Sequence, residues 1–105
     1  MALGEIHPRE FWARQGAGET LFLLDVREPE EVAEWAFPGA VNIPLGQLGN
    51  RTEELPADQV IVVACRSGNR SAVAAQALSR AGWKTHNLTG GALEWCACEE
   101  PVSGS

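Results

Sequence analysis

The chain has 105 residues, 45% of them hydrophobic and 21% charged, with 8 basic against 14 acidic residues and a net charge of −6. That composition belongs to a globular protein rather than a disordered tail, and the length suits one compact domain, expected over residues 1–105. An acidic balance with Lys84 as the only lysine argues against nucleic acid as a partner, because phosphate neutralisation needs clustered Lys and Arg. No apolar run approaches the ~20 residues that span a bilayer. Residues 1–6 show neither the basic nor the apolar region of a secretory leader, so no membrane role and a cytoplasmic setting are expected. Three cysteines cannot close a disulfide framework and read as thiols in a reducing compartment.

In chain order, Pro8 to Arg14 predicts a helix with Pro in its first turn. Thr20 to Val26 is nearly continuous in apolar residues, the pattern of a strand covered on both faces. Pro29 starts a helix carrying Glu30, Glu31 and Glu34, whose charges complement the helix dipole. Ala40 to Ile43 is a short strand stopped by Pro44, and Leu45 to Leu55 a short helix or turn of weak periodicity. Val60 to Ala64 is the strongest strand signal, an apolar run dominated by β-branched residues, expected at the centre of the sheet. A polar loop, Cys65 to Ser71, leads into an Ala-rich helix over Ala72 to Ala81, with Ala74, Ala77, Leu78 and Ala81 on its inner face and Gly82 as its stop. Lys84 to Leu88 reads as a strand, Gly90-Gly91 as a turn, and Ala92 to Cys98 as a closing helix. Strands alternating with helices predict an α/β fold, with a small, mainly parallel central sheet flanked by helices.

The informative order is buried strand, cysteine, Gly-containing polar loop, helix. Ligands of open parallel sheets bind beyond the C-terminal ends of the strands, and Cys65 is the first residue past the central strand. Gly68 and Asn69 tolerate left-handed backbone angles, so the loop can curl its N–H groups inward as an anion nest, reinforced by the start of the following helix. A free thiol is only ~3% ionised at pH 7. Lowering its pKa by about two units, worth ~2.7 kcal/mol, makes it mostly thiolate. Nest, dipole and guanidinium contributions of roughly 0.5–2 kcal/mol each suffice together. Cys65 is therefore the expected nucleophile. The amides of Arg66, Ser67, Gly68, Asn69, Arg70 and Ser71 form the expected cradle for substrate, with the Arg66 and Arg70 side chains as anion-recognising groups.

Four motifs, in order, carry a family resemblance: Leu24 to Glu31, Pro38 to Leu45, Cys65 to Ser71, and Leu88 to Gly91 with Trp95. From about Ile6 to Val102 the chain resembles a single-domain rhodanese, a sulfurtransferase module. The resemblance implies that the Cys65 thiolate takes the outer sulfur of an anionic donor such as thiosulfate and holds it as a persulfide. It then passes that sulfur to cyanide, a small thiol or a sulfur-accepting protein. No metal or organic cofactor is implied. The four residues between Cys65 and Arg70 match the loop length that the family associates with a sulfur-sized centre. Related phosphatases and arsenate reductases carry one residue more, so that chemistry is the weaker alternative; a carrier module with little turnover is another.

Around the loop, Asp25 and Arg27 lie at the end of the first strong strand, on the sheet edge that carries Cys65. Asp25 either hydrogen-bonds loop amides or an arginine, supporting the site from behind, or caps the helix near Pro29. Trp35-Ala36-Phe37 stands where relatives commonly read Gly-His-Ile, so no role of that histidine carries over. Cys96 and Cys98 lie in a stretch commonly free of cysteine. They read as a resolving pair, metal ligands or incidental thiols, although residues two apart on a helix point in different directions and two thiols fall short of a four-ligand zinc site. The four Trp and three Phe residues are expected to pack the core or its edges; His7 and His86 are isolated.

Overall fold

The computed structural model describes residues 3–98. Five strands, β1 (Leu3–Ile6), β2 (Leu21–Asp25), β3 (Val41–Asn42), β4 (Val60–Ala64) and β5 (Thr85–Leu88), form one sheet in the order β1-β5-β4-β2-β3. Every pairing is parallel. The helices are α1 (Pro8–Gly16), α2 (Pro29–Glu34), α3 (Asn69–Arg80) and α4 (Gly91–Cys98), with 3-10 segments at Leu45–Asn50 and Thr52–Glu54. The expected α/β sheet is present and β4 is its middle strand. No described helix is long and apolar enough to cross a membrane.

Strand alternation sorts the apolar side chains into two cores. Val62 and Ala64 of β4 join Leu21 and Leu23 of β2 on the face covered by Phe11 and Trp12 of α1 and Trp95 of α4. Trp95 is the hub there, its ring 4.9 Å from Trp12, 5.1 Å from Phe37 and 5.7 Å from Phe11. On the other face Ile61, Val63 and Cys65 pack with Leu24 and Val26 against Ala74, Ala75 and Leu78 of α3. Cys65 continues the alternation of β4, so its side chain turns toward α3.

Three expectations need correction. β1 precedes Pro8 where no strand is expected; it gains its partner from β5, in the register Leu3 to Thr85 through Ile6 to Leu88. Helix α3 begins at Asn69 rather than Ala72, so Asn69, Arg70 and Ser71 are its first turn. Its buried stripe is Ser71, Ala74, Ala75 and Leu78, whereas Ala77 and Ala81 are exposed. The helix has turned because Ser71 goes inward to serve the cysteine. Its end follows the expected stop: Gly82 has φ +104° and the Trp83 amide donates back to the Leu78 carbonyl at 3.0 Å.

Candidate active site

Beyond the last residue of β4 the chain makes a tight loop around the Cys65 sulfur. The amide N–H of Gly68 donates to Sγ at 3.1 Å, that of Ser71 at 3.3 Å, and Ser71 Oγ lies 3.3 Å away. Gly68 makes this curl possible. Its φ of +99° is left-handed, and a side chain there would approach the Gly90 nitrogen at 3.2 Å. The loop is also held from behind, because its carbonyls face α4: Ala92 N–H donates to Cys65 O at 2.9 Å and Leu93 N–H to Arg66 O at 3.1 Å. Amides therefore point at the sulfur while carbonyls satisfy the open donors of a helix start. Burial pushes the Cys65 thiol up, but the Ser71 hydroxyl, where it turns to the sulfur, and the amides of Ser71, Gly68 and Ser67 outweigh it and leave the thiol below its ordinary value. Cys65 is 1% exposed, and its sulfur is the floor of the site rather than its rim.

The guanidiniums divide by partner. Arg70 is committed to Glu31 of α2, with Nη1 and Nη2 donating to the two carboxylate oxygens at 2.7 and 2.8 Å. That contact holds the Glu31 carboxyl down at about 2, helped by the Glu28 amide. Arg27 is buried against Asp25, its Nη2 2.8 Å from Oδ2, and the same nitrogen donates to the Trp35 carbonyl at 2.8 Å. Arg66 is exposed and, among the described residues, in no ion pair. It borders a cleft of about 280 Å³ together with Arg27, Trp35, Leu93 and Cys96. A family model described as a rhodanese-like domain matches residues 7–98.

The chain belongs to the rhodanese-like domain family. It is 41% identical over 95 residues to a putative sulfurtransferase, YtwF, of Bacillus subtilis, an alignment that covers 90% of this chain and 92% of that one. It is 37% identical to a putative sulfur carrier protein of the same organism, YrkF, over 90% of this chain and 51% of that longer protein. Among solved structures, a rhodanese-related protein from Thermoplasma volcanium superimposes with a TM-score of 0.85 at 30% identity, covering 97% of this chain and 99% of the other. These likenesses make the present chain a rhodanese-type, sulfurtransferase-family domain.

Within this rhodanese-like domain the remaining expected residues take distinct places. Ser67 is exposed on the loop and Asn69 at the start of α3, whereas Gly68 and Ser71 are buried. Asp25 binds no loop amide and caps no helix. Its carboxylate accepts from the Arg27 backbone N–H at 3.0 Å and from the Arg27 side chain, while Asn42 Nδ2 ties the Asp25 and Arg27 carbonyls together at 2.9 Å each. The cap of α2 is Glu28. Cys96 and Cys98 do point apart: Cys96 faces the cleft, while Cys98 Sγ lies 3.2 Å from Glu94. Glu94 also meets His7 Nε2 at 2.8 Å. His7 Nδ1 accepts the Arg9 amide at 3.1 Å, so Nε2 carries the proton toward Glu94. A cation would sit among His7, Glu94 and Cys98 only if that proton left and the cap bond broke.

Two side chains at the site escape the sequence reading. Glu31 appears there only as an acid in a first helical turn, yet it anchors Arg70. Asn87 appears only as a strand residue, yet its side chain bonds both Ser71 and Gly68. A polar residue inside an otherwise buried strand is the one available signal for Asn87, since a buried amide demands partners.

Proposed function

We propose that this domain moves sulfane sulfur through a persulfide on Cys65. The observation that carries the reading is the convergence of the Gly68 and Ser71 amides on one buried sulfur at 3.1 and 3.3 Å. The Cys65 thiolate attacks the outer sulfur of a donor such as thiosulfate. A sulfur–sulfur bond forms, the donor's own sulfur–sulfur bond breaks, and its electron pair leaves on sulfite. The outer sulfur then stands ~2 Å beyond Sγ, and Arg66, the next residue in the chain, borders the neighbouring cleft. An acceptor nucleophile attacks that outer sulfur and returns Cys65 as thiolate: cyanide yields thiocyanate, and a thiol yields a new persulfide. The loop amides stabilise charge on the sulfur through both steps.

Arg66 is proposed to recognise the anionic donor, and Arg70, already bound to Glu31, to shape the loop. Asp25 and Arg27 are proposed to hold the end of β2 beside it. The free thiols suit a reducing, cytoplasmic setting, and residues 1–105 are read as one such module. The near-complete burial of Cys65 also favours a second reading, a carrier that gives up its sulfur only to a docked protein. Incubation with thiosulfate, followed by intact and peptide mass measurement, tests both. A gain of one sulfur on the Cys65 peptide, absent in Cys65→Ser and discharged by cyanide with turnover, supports the enzyme. A stable gain that small thiols and cyanide remove only slowly supports the carrier. No gain on Cys65 overturns both.

A further inference from the structure

Four hydrogen bonds close a ring beneath the sulfur. Gly68 N–H reaches Sγ at 3.1 Å, Sγ contacts Ser71 Oγ at 3.3 Å, Ser71 Oγ contacts Asn87 Oδ1 at 2.5 Å, and Asn87 Nδ2 contacts Gly68 O at 3.1 Å. The direction of the ring follows from which atoms hold protons. Gly68 O can only accept, so Asn87 turns its NH₂ there and its carbonyl toward Ser71. That carbonyl can only accept, so the one hydroxyl proton of Ser71 goes to Asn87. Ser71 then offers the sulfur a lone pair, which suits a thiol donating S–H to Oγ. A thiolate needs the hydroxyl to turn round, and that strands Asn87 Oδ1 without a donor in a site where Asn87 is 7% exposed. Leaving a buried acceptor unpaired is costly, on the scale of what the hydroxyl gains at the sulfur.

We propose that Asn87 is a positioning residue that competes with the Cys65 sulfur for the single hydroxyl proton of Ser71. The proposal rests on Cys65 being the nucleophile. Its consequence is chemical: the nucleophilicity of a thiolate falls as its thiol becomes more acidic, and the best attacking thiol titrates near ambient pH. The backbone amides push Cys65 toward ionisation, and Asn87 limits how far Ser71 adds to that push. As charge leaves Sγ on bonding to the donor sulfur, the hydroxyl returns to Asn87 and the ring closes again.

The competition is confined to this pocket. Arg70 of α3, in electrostatic contact with Cys65, remains paired with Glu31 of α2. At the end of β2, Asp25 remains paired with Arg27. On β5, His86 lies on the opposite face, against Gly4. None of these groups hydrogen-bonds to the side chain of Asn87 or Ser71.

The test reads the midpoint of the pH dependence of Cys65 alkylation by iodoacetamide, which requires no sulfurtransfer and so separates this proposal from the proposed activity. Cys96→Ser and Cys98→Ser provide a background with one thiol. In that background Asn87→Ala frees the hydroxyl, and the acid dissociation constant of Cys65 is expected to rise ~10-fold. Gly68 O keeps its bond from the Ala72 amide at 3.2 Å, and Asn87→Val supplies a strand-forming replacement should the alanine variant fail to fold. Ser71→Ala alone is expected to leave the constant within about twofold, and to cancel the Asn87→Ala effect when combined with it. A purely structural Asn87 would lower the melting temperature without that coupling. An unchanged or decreased constant in the Asn87 variants, the same shift without Ser71, or a ~10-fold fall on Ser71→Ala alone overturns the proposal.

Discussion

The amide of Ala92 donates to the carbonyl of Cys65 at 2.9 Å, so the peptide that follows Cys65 is fixed by a helix almost thirty residues downstream. Space for this contact exists because residue 91 has no side chain. A Cβ on Gly91 would overlap the Cys65 carbonyl oxygen and stand 2.7 Å from the Arg66 carbonyl carbon and oxygen, at φ +55°. Gly91→Ala is expected to cost about 2 kcal/mol or more in denaturant unfolding. It should slow persulfide formation at least ~10-fold, because relief comes only by moving the loop off α4. Wild-type rates in a folded Gly91→Ala protein would show that this backing is dispensable.

Arg66 and Arg70 should respond differently to neutralisation. Arg66 has no described carboxylate partner and faces the cleft, so Arg66→Ala is expected to raise the apparent KM for thiosulfate ~10-fold, about 1.4 kcal/mol. Its unfolding free energy should stay within ~0.5 kcal/mol of wild type. Arg70→Ala releases Glu31 beside the loop and should lower kcat and melting temperature together. Steady-state kinetics on both variants separate the roles, and an unchanged donor KM for Arg66→Ala removes Arg66 from recognition.

The Glu31–Arg70 pair predicts a pH dependence of folding. Glu31 titrates at about 2 in the folded chain against 4.5 for an ordinary glutamate. Between those values the unfolded chain binds the additional proton, so the stabilisation is complete above pH 4.5 and is lost as pH falls toward 2. Side-chain exposure of about a third at both partners (38% and 30%) allows solvent to screen much of the effect. Melting curves from pH 6 to pH 2.5 should fall less steeply for Glu31→Gln than for wild type. Identical slopes would show that the ion pair contributes nothing.

Arg27 and Asp25 form the most enclosed charge pair described, 4% and 1% exposed, with the guanidinium also 5.2 Å from the Phe37 ring centroid. Arg27→Met leaves a buried carboxylate without its cation and is expected to cost about 3–5 kcal/mol. The double variant Arg27→Met/Asp25→Asn should lose clearly less than the sum of the two single losses. Additive losses would mean that the two residues act independently.

How far the site can be read from sequence depends on how local its physics is. β4, Cys65 and the Gly68 turn are contiguous: a β-branched run, a thiol and a left-handed residue announce strand, buried sulfur and amide nest within nine positions. β1 is not visible that way, because Leu-Gly-Glu-Ile has no length or period of its own and becomes a strand only against β5. The anchoring of Arg70 joins residues 39 apart, and that of Ser71 by Asn87 joins residues 16 apart, between α3 and β5. No spacing rule links such partners. The start of α3 is misread for a related reason, since Asn69, Arg70 and Ser71 look like loop residues until Ser71 is seen turning inward. Side-chain burial overrides local preference there.

The pairing of β1 with β5 has a consequence for how the chain matures. Leu3 finds its partner only at Thr85, and the strand bearing Asn87 and the helix bearing Ala92 follow Cys65 by more than twenty residues. During synthesis the thiol emerges before anything can orient its surrounding peptides, and closing so many distant contacts makes assembly slow relative to that of a local helical fold. The surroundings of the Cys65 sulfur are thus acquired late, as a property of the finished sheet and not of the segment that encodes it.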